Sequence, residues 1–413
     1  MSAARTIIPV WRSSARRWKA TMIKAVLLDM DNTLLHNPDA RFAKAFRQHF
    51  DDFFRAELGI DGSITALRAG FANMGRDLVN CPSNFQALRD CLAHWLPMDA
   101  DEAEHALRRF YAEVYGELQA LVSPVAGAAE LIESLLAQGL LVAIATNPLY
   151  PESAIVKRLE WAGLGGLIDE FAFISHSENM HFAKPQTEYM AEVVARVGIE
   201  PDEALMVGDS AVNDMQAAHA IGCPSWHVGV DGSLAGLARH IQRDAWREVY
   251  PPAALQPAMI APQYRGNLGA LRGLLDESTP SQWQARPDPE EWSILQILCH
   301  LWTTETAVHR ARLQRILAED KPFLAALPPP GPHVPPCYDD ANWVWARLNQ
   351  DRRETLAIVD GLTAAQWQRP ARHSIFGLTT VMEMAYFTAQ HDRLHITQFC
   401  QTLGKCADEA ALS

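Results

Sequence analysis

The sequence predicts a two-domain protein, in which an α/β domain built on a parallel sheet is followed by an all-α four-helix bundle. Over residues 23–247, short apolar runs alternate with amphipathic stretches, which is typical of strands joined by crossover helices. Beyond a proline-rich segment, only long helical stretches remain, with one long connection between them. The length of 413 residues also fits two or three domains.

Apolar runs mark the strands of the α/β domain, and one long segment interrupts them. The predicted buried strands are Ile23–Leu28, Leu140–Ala145, Ala204–Val207 and Ser225–Val228. Residues 38–121 show helical periodicity and no good strand, and the helices predicted there are Arg41–Leu58, Thr65–Leu78, Asn84–Trp95 and Asp101–Leu121. A helical insert after the first strand is a candidate lid over a site at that strand's end.

Changes in composition set the domain boundaries. Residues 1–21 are basic and free of acidic side chains, so we expect a disordered extension or a mis-assigned start before Met22, with an organelle transit segment as the alternative. The α/β domain is expected at 22–247, and a proline cluster places a linker at 248–263. The bundle is expected at 264–408, with helices at Tyr264–Asp276, Ser293–Leu317, Tyr338–Leu362 and Leu378–Leu403.

Composition excludes several classes of protein. Lys and Arg total 36 against 49 Asp and Glu, and this net charge of −13 without long basic runs disfavours nucleic-acid binding. No apolar run reaches the ~18 residues of a membrane helix, so we expect no membrane span. The seven cysteines are scattered and form no Cys-x-x-Cys pair, which predicts reduced thiols in a cytoplasmic protein.

Polar residues with chemical potential follow the predicted strands at their carboxyl ends. Asp29-Met-Asp31-Asn-Thr33 follows the first strand, and Thr146-Asn147 follows the second. A later strand is followed by Gly-Asp209-Ser-Ala-Val-Asn-Asp214. Lys184 lies in a loop between this segment and Thr146-Asn147. Open α/β sheets bind ligands at this edge, and the ordered combination is far more specific than any single element.

These residues resemble the four motifs of the haloacid dehalogenase superfamily, over about residues 23–247. The insert at about 38–121 is similar to that superfamily's helical cap, above a Rossmann-like core. The resemblance implies that Asp29 is a nucleophile forming an aspartyl-phosphate, and that Asp31 serves as acid and then base. The residues implied to bind the phosphoryl group are Thr146, Asn147 and Lys184.

The resemblance also implies Mg²⁺ as a cofactor, because a hard cation prefers carboxylate and carbonyl oxygens. The implied Mg²⁺ site consists of the Asp29 and Asp209 side chains, the Asp31 carbonyl and, supporting them, Asp214. Asp31 favours a phosphatase, since an alkoxide leaving group needs an acid and a halide does not. A phosphonate hydrolase would need a lysine from the insert, which contains only Lys44, and a phosphomutase remains open. The expected substrate is a small phosphorylated metabolite.

A second candidate site lies in the predicted bundle. His391 and His395 are one helical turn apart on one face, and His300 lies in an apolar helical stretch that should face the same interior. Three histidines from two helices fit a metal site with open positions. This half resembles the DinB-like superfamily of metal-binding four-helix proteins, over about 264–404, which implies these three ligands for Zn, Ni or Fe.

The role of the bundle is open at this stage. The resemblance implies a metal-dependent transferase or isomerase that uses a thiol cofactor as one alternative to the phosphatase as the main chemistry. A structural metal is another. A third alternative is a docking module that forms a homodimer through an apolar face of the bundle.

Overall fold

The computed structural model describes residues 22–243, 245–328, 331 and 333–412, with side chains as far as residue 406. The predicted extension at 1–21 therefore lies outside the described residues. The chain divides into two compact units, one spanning Thr21–Ala253 and the other beginning at Ala254. Within the described ranges, no helix combines the length and apolarity needed to cross a membrane.

The first unit is built on a five-stranded parallel sheet with the order β5-β4-β1-β6-β7. Its strands are β1 (Ala25–Leu28), β4 (Leu141–Ile144), β5 (Phe173–Ile174), β6 (Ala204–Gly208) and β7 (Ser225–His227). The central strand β1 is wholly buried, and its last residue pairs with Ile144 on one side and Val207 on the other. The four predicted strands are confirmed, whereas β5, with only two residues, carries too little pattern to be predicted.

The insert leaves and rejoins the sheet through a two-stranded antiparallel ribbon, β2 (Leu35–His36) and β3 (Ser123–Pro124). Its helices are α1 (Asp39–Leu58), α2 (Ser63–Asn73), α3 (Asn84–Trp95) and α4 (Ala100–Glu113). The last predicted helix is shorter than expected, because a 3₁₀ segment, Tyr115–Leu121, replaces its final turns. The remaining helices of this unit are α5 (Ala128–Ala137), α6 (Glu152–Trp161), α7 (Thr187–Val197), α8 (Ala217–His219) and α9 (Leu234–His240).

An aromatic core fixes the insert. Phenylalanines recur on one face of α1, and Phe50 packs edge-on against Phe110 of α4 with ring centroids 5.1 Å apart. Burying each such ring stabilises the fold by ~1.5–3 kcal/mol. Asn84 at the start of α3 donates to the Phe182 carbonyl at 2.9 Å, which ties the insert to the loop that carries Lys184.

The second unit consists mainly of four long helical segments, as predicted. They are α10 (Ile260–Asp276), α12–α13 (Ile294–Thr304 and Ala311–Ala318, joined by a π-helical segment, Glu305–Arg310), α14 (Ala341–Asp360) and α16 (Val381–Leu412). Two short helices, α11 (Pro280–Gln284) and α15 (Ala364–Trp367), lie between them. The first long helix begins inside the predicted linker, because Pro262 falls in its first turn, where a missing N–H breaks no helical bond.

Two features of the second unit were not predicted. The first is a small sheet of β8 (Phe323–Leu324), β9 (Pro370–His373) and β10 (Gly377–Thr380). The second is a disulfide between Cys299 and Cys337, with Cα atoms 5.6 Å apart. The expectation of seven reduced thiols is therefore wrong for this pair. The loop before α14 returns Cys337 to α12 across 38 residues, and sequence spacing gives no sign of that contact.

Candidate active site and candidate metal centre

The parallel sheet brings the predicted polar residues that follow its strands to one edge. The Asp29 N–H donates to the Val207 carbonyl at 2.9 Å, and the Ala145 N–H donates to the Leu28 carbonyl at 2.7 Å. These bonds continue the pairing of β1 with β6 and β4 just past its end. Asp29 thus lies between Thr146, which follows β4, and Asp209, which follows β6.

Lys184 joins two of the carboxylates. Its buried Nζ lies 2.7 Å from Oδ1 of Asp29 and 2.5 Å from Oδ1 of Asp214. Its backbone N–H donates to the Asn147 side chain at 3.2 Å, which anchors the lysine loop to the residue after Thr146. Burial alone would lower the pKa of Lys184, but Asp29 and Asp214 outweigh it and raise that pKa overall, so the ammonium stays charged.

The carboxylates form a group suited to a divalent cation. Oxygen atoms of Asp29, Asp209 and Asp214 lie within 4.8 Å of one another. Burial, with the charges of Asp214 and Asp31 added, raises the pKa of Asp29 to about 7 despite the opposing ammonium of Lys184. Oxygen donors with excess negative charge are what Mg²⁺ prefers, so these residues fit the implied ion.

The remaining predicted residues are placed as follows. Thr146 is buried, and its carbonyl accepts hydrogen bonds from the Ser175 hydroxyl at 2.9 Å and the Tyr189 hydroxyl at 2.7 Å. The side chain of Asp31 is not part of the Asp29, Asp209 and Asp214 cluster, and it accepts a hydrogen bond from the Asn37 amide at 2.9 Å. Its carboxylate also contacts the guanidinium of Arg158 on α6.

Sequence reasoning missed Asn37 and Arg158. Both contact Asp31, yet neither lies in a recognisable motif, and Arg158 follows Thr146 by twelve residues. The orientation of α6 decides which of its side chains reaches the site. An arginine on the buried face of that helix was the one available signal, since arginine is almost never buried without a partner.

The second unit brings the three predicted histidines together. Nε2 of His300 and Nε2 of His391 are 3.2 Å apart, and the His395 ring lies 4.6 Å from each of the other two by centroid. Burial lowers the pKa of His300 to about 3 and that of His395 to about 4, and lowers the pKa of His391 well below its usual value. Neutral imidazoles facing one another fit a divalent transition metal.

A second layer of side chains orients these rings. Nδ1 of His391 lies 3.3 Å from Nε2 of His309, and Nδ1 of His395 lies 2.9 Å from the Gln398 side-chain oxygen. These contacts leave the Nε2 atoms of both histidines for a metal. Beside the site, the buried guanidinium of Arg352 lies 2.6 Å from Asp392, and its other end lies 2.7 Å from Glu305.

Comparison with known proteins identifies both halves. Residues 23–222 match the family of haloacid dehalogenase-like hydrolases, and residues 263–399 match the DinB superfamily. A phosphoglycolate phosphatase of Pseudomonas aeruginosa is 31% identical over 256 residues, which cover 60% of this chain and 87% of that protein. Another, from Thiobacillus denitrificans, is 32% identical over 210 residues, which cover 50% of this chain and 83% of that protein.

A solved four-helix bundle is also among the similar structures. YfiT of Bacillus subtilis, a four-helix bundle of unusual topology, is 18% identical, with a TM-score of 0.31, and the match covers 36% of this chain and 87% of that one. The chain belongs to the haloacid dehalogenase-like hydrolase family and also carries a DinB-superfamily domain. Both predicted resemblances, and the predicted enzyme class of a phosphatase of this family, are confirmed.

Proposed function

We propose that the first unit is a Mg²⁺-dependent phosphatase that hydrolyses a small phosphate monoester through an aspartyl-phosphate on Asp29. The observation that carries this proposal is the buried ammonium of Lys184 bridging Asp29 and Asp214 beside Asp209. Lys184 contributes one positive charge among three carboxylates, so the site keeps an excess of negative charge that Mg²⁺ can balance. Both cations would then offset the negative charge of a bound phosphoryl group. The likeness to two phosphoglycolate phosphatases supports the same reaction.

The proposed reaction has two displacements at phosphorus. A carboxylate oxygen of Asp29 bonds to phosphorus while the ester P–O bond breaks, and Asp31 gives its proton to the departing oxygen. Asp31 then takes a proton from the water whose oxygen attacks the aspartyl-phosphate, which releases phosphate and restores Asp29. Lys184 and Thr146 bind the phosphoryl oxygens, with Asn147 supporting Lys184.

Mg²⁺ would be held by Asp29, Asp209 and the Asp31 carbonyl, and supplies positive charge to the phosphoryl oxygens when bound. Asp214 would hold Lys184 in place rather than bind the metal directly. Its other oxygen accepts from the Ser210 N–H at 3.0 Å, so both of its oxygens already have partners.

The experiment is phosphate release from a panel of small esters, with and without Mg²⁺, for the wild type and Asp29→Asn. We expect turnover by the wild type, loss on chelation and no turnover by the variant. Asp169→Asn, the same change at an exposed position, is the matched control and should behave as the wild type. Turnover that survives in Asp29→Asn would refute the covalent mechanism, and transfer to a sugar hydroxyl instead of water would favour the mutase.

We also propose that the bundle binds a divalent transition metal through His300, His391 and His395. The convergence of their ring nitrogens within 4.8 Å of one another is the observation that favours it. The His391→Ala, His395→Ala double variant should lose stoichiometric metal, whereas His333→Ala, at an exposed histidine, should keep it. Metal retained by the double variant would contradict the assignment of these histidines as ligands. The thiol cofactor, the homodimer and the cytoplasmic location stay predictions.

A further inference from the structure

A buried arginine lies directly beside the acid of the proposed reaction. The side chain of Arg158 is 1% exposed, and its guanidinium contacts the Asp31 carboxylate. The guanidinium carbon lies 5.3 Å from the ring centroid of Phe42 and 5.6 Å from that of Tyr150. The Nε–H has no hydrogen-bond partner among the described residues. One part of this five-donor group is therefore engaged, whereas the Nε–H is unpaired beside the aromatic enclosure that Phe42 and Tyr150 form.

Two more donors of the same enclosure lack partners. The hydroxyls of Tyr111 and Tyr115 are buried. In the part of the chain that the structure describes, that of Tyr111 has no hydrogen-bond partner, and that of Tyr115 lies beside the Arg158 guanidinium without reaching hydrogen-bond geometry. The two rings are 5.3 Å apart by centroid, and Tyr115 lies 5.7 Å from Tyr150, which contacts Arg158. Burial raises the pKa of both hydroxyls well above the ordinary value, so they remain O–H donors.

This donor set fits an anion. A guanidinium offers only donors, and buried neutral phenols beside it can donate as well. Leaving such groups unpaired is unfavourable, whereas an ionised carboxylate can accept from several donors at once. A cationic group would be repelled by Arg158, and a neutral alkyl group would leave every donor unpaired.

The contact between Arg158 and Asp31 indicates which anion would bind here. In the proposed function, on which this inference rests, Asp31 hands its proton to the ester oxygen of the leaving group. The carbon chain attached to that oxygen must therefore begin next to Asp31, and Arg158 is in direct contact with Asp31. In the proposed function, the phosphoryl group itself is bound by Lys184, beside the cluster of carboxylates at the end of β1. An anion at Arg158 is thus a second charged group of the substrate.

We propose that Arg158, with the hydroxyls of Tyr111 and Tyr115, binds a carboxylate on the leaving group, so that the substrate class is short phosphorylated hydroxy acids. Arg158 is then a specificity-determining residue. Its guanidinium spans Asp31 and the substrate carboxylate, and this sets the distance between the ester oxygen and the acid group.

Two esters that differ only in the carboxylate test the proposal. 2-Phosphoglycolate and ethyl phosphate share the CH₂–O–P unit, and a carboxylate in the first replaces a methyl group in the second. The wild type should show a much larger kcat/KM for 2-phosphoglycolate. Arg158→Met should lower that value about 10- to 100-fold more than kcat/KM for ethyl phosphate, which loses the support of Asp31 but has no carboxylate to lose. Arg158→Lys should recover part of the preference.

Controls separate recognition from folding. Arg196→Met removes a partly buried arginine that lies over the Phe173 ring, and it should leave the preference intact. If Arg158→Met fails to fold, Tyr115→Phe deletes one orphaned hydroxyl and should still lower turnover of 2-phosphoglycolate selectively, by about 3- to 10-fold. Binding of both esters to Asp29→Asn, measured by calorimetry, should show the same preference and the same loss on adding Arg158→Met.

Turnover of the two esters distinguishes binding of the substrate carboxylate from positioning of Asp31. An equal loss of turnover on both esters in every variant would mean that Arg158 only positions Asp31, and it would overturn the carboxylate site. A wild type that hydrolyses other esters but does not prefer 2-phosphoglycolate to ethyl phosphate would also overturn it. A wild type without phosphatase activity, or an Asp29→Asn variant with full activity, would instead refute the proposed function.

Discussion

A Cβ atom added at Gly208 would fall 2.2 Å from Oδ2 of Asp214, so the last residue of β6 is glycine because the carboxylate fills the space of a side chain. The same carboxylate lies 2.5 Å from Lys184 through its other oxygen. A strand end without a side chain is thus part of what holds the lysine against Asp29. The relationship links a packing requirement to the charge at the proposed phosphoryl site.

Gly208→Ala should therefore impair catalysis without removing any catalytic group. The added methyl displaces Asp214, which releases Lys184 from its position beside Asp29. We expect kcat to fall at least tenfold, together with a loss of ~1–3 kcal/mol in stability from overpacking. Gly166→Ala, at a position with open space around the new methyl, is the matched control and should leave kcat unchanged. Unaltered kcat in Gly208→Ala would show that Asp214 is dispensable for placing Lys184.

His309 should determine how tightly the bundle binds the proposed transition metal. Burial lowers its pKa to about 3, so its neutral Nε2 can accept from Nδ1–H of His391, which presents Nε2 to the metal. His309→Phe removes that acceptor, and we expect a 10- to 100-fold weaker metal affinity, at the scale of such supporting contacts. A competition titration with a chromophoric chelator measures it. His333→Phe should bind as the wild type, and equal affinity in both variants would contradict the orientation.

The active-site edge could be predicted because it depends on local pattern and one topological rule. Strands of a parallel sheet end at the same edge, so Asp29, Thr146 and Asp209 had to meet once their strands were assigned. Nothing comparable places Arg158. Its helix was predictable, but the face that turns towards Asp31 depends on how α6 packs against the insert, and that is a tertiary relationship.

His309 was missed for a different physical reason. It follows His300 by nine residues, which in a regular α-helix is a rotation of about 900° and places the two rings on opposite faces. The π-helical segment Glu305–Arg310 contains His309 and shifts its register relative to His300, so that both rings reach His391. A periodicity argument that assumes 3.6 residues per turn predicts the wrong face after such a segment.

Reduction should destabilise the second unit. The Cys299–Cys337 disulfide closes a loop of 38 residues, for which restriction of the unfolded chain is worth about 4 kcal/mol. Thermal unfolding in a strong thiol reductant should therefore occur at a lower temperature for the wild type. The Cys299→Ser, Cys337→Ser double variant should already unfold at that lower temperature and should not respond to the reductant. A reductant effect that persists in the double variant would locate it at another cysteine.

His176 should make the first unit sensitive to mild acid. Burial and then the charge of Arg196 lower its pKa to about 3, from 6.5 in the unfolded chain. The unfolded state therefore binds a proton below pH 6.5 that the folded state excludes. The resulting stabilisation is fully present above pH 6.5 and is lost as the pH falls towards 3, with a slope of ~1.4 kcal/mol per pH unit.

Replacing His176 tests this directly. Between pH 7 and pH 5, the wild type should lose about 2 kcal/mol more unfolding free energy than His176→Gln, measured by urea unfolding at each pH. The comparison concerns the slope, so a constant cost of the substitution does not matter. His94→Gln, at an exposed histidine of the insert, should keep the slope of the wild type. Parallel pH profiles for the wild type and His176→Gln would show that this imidazole gains its proton without loss of the fold.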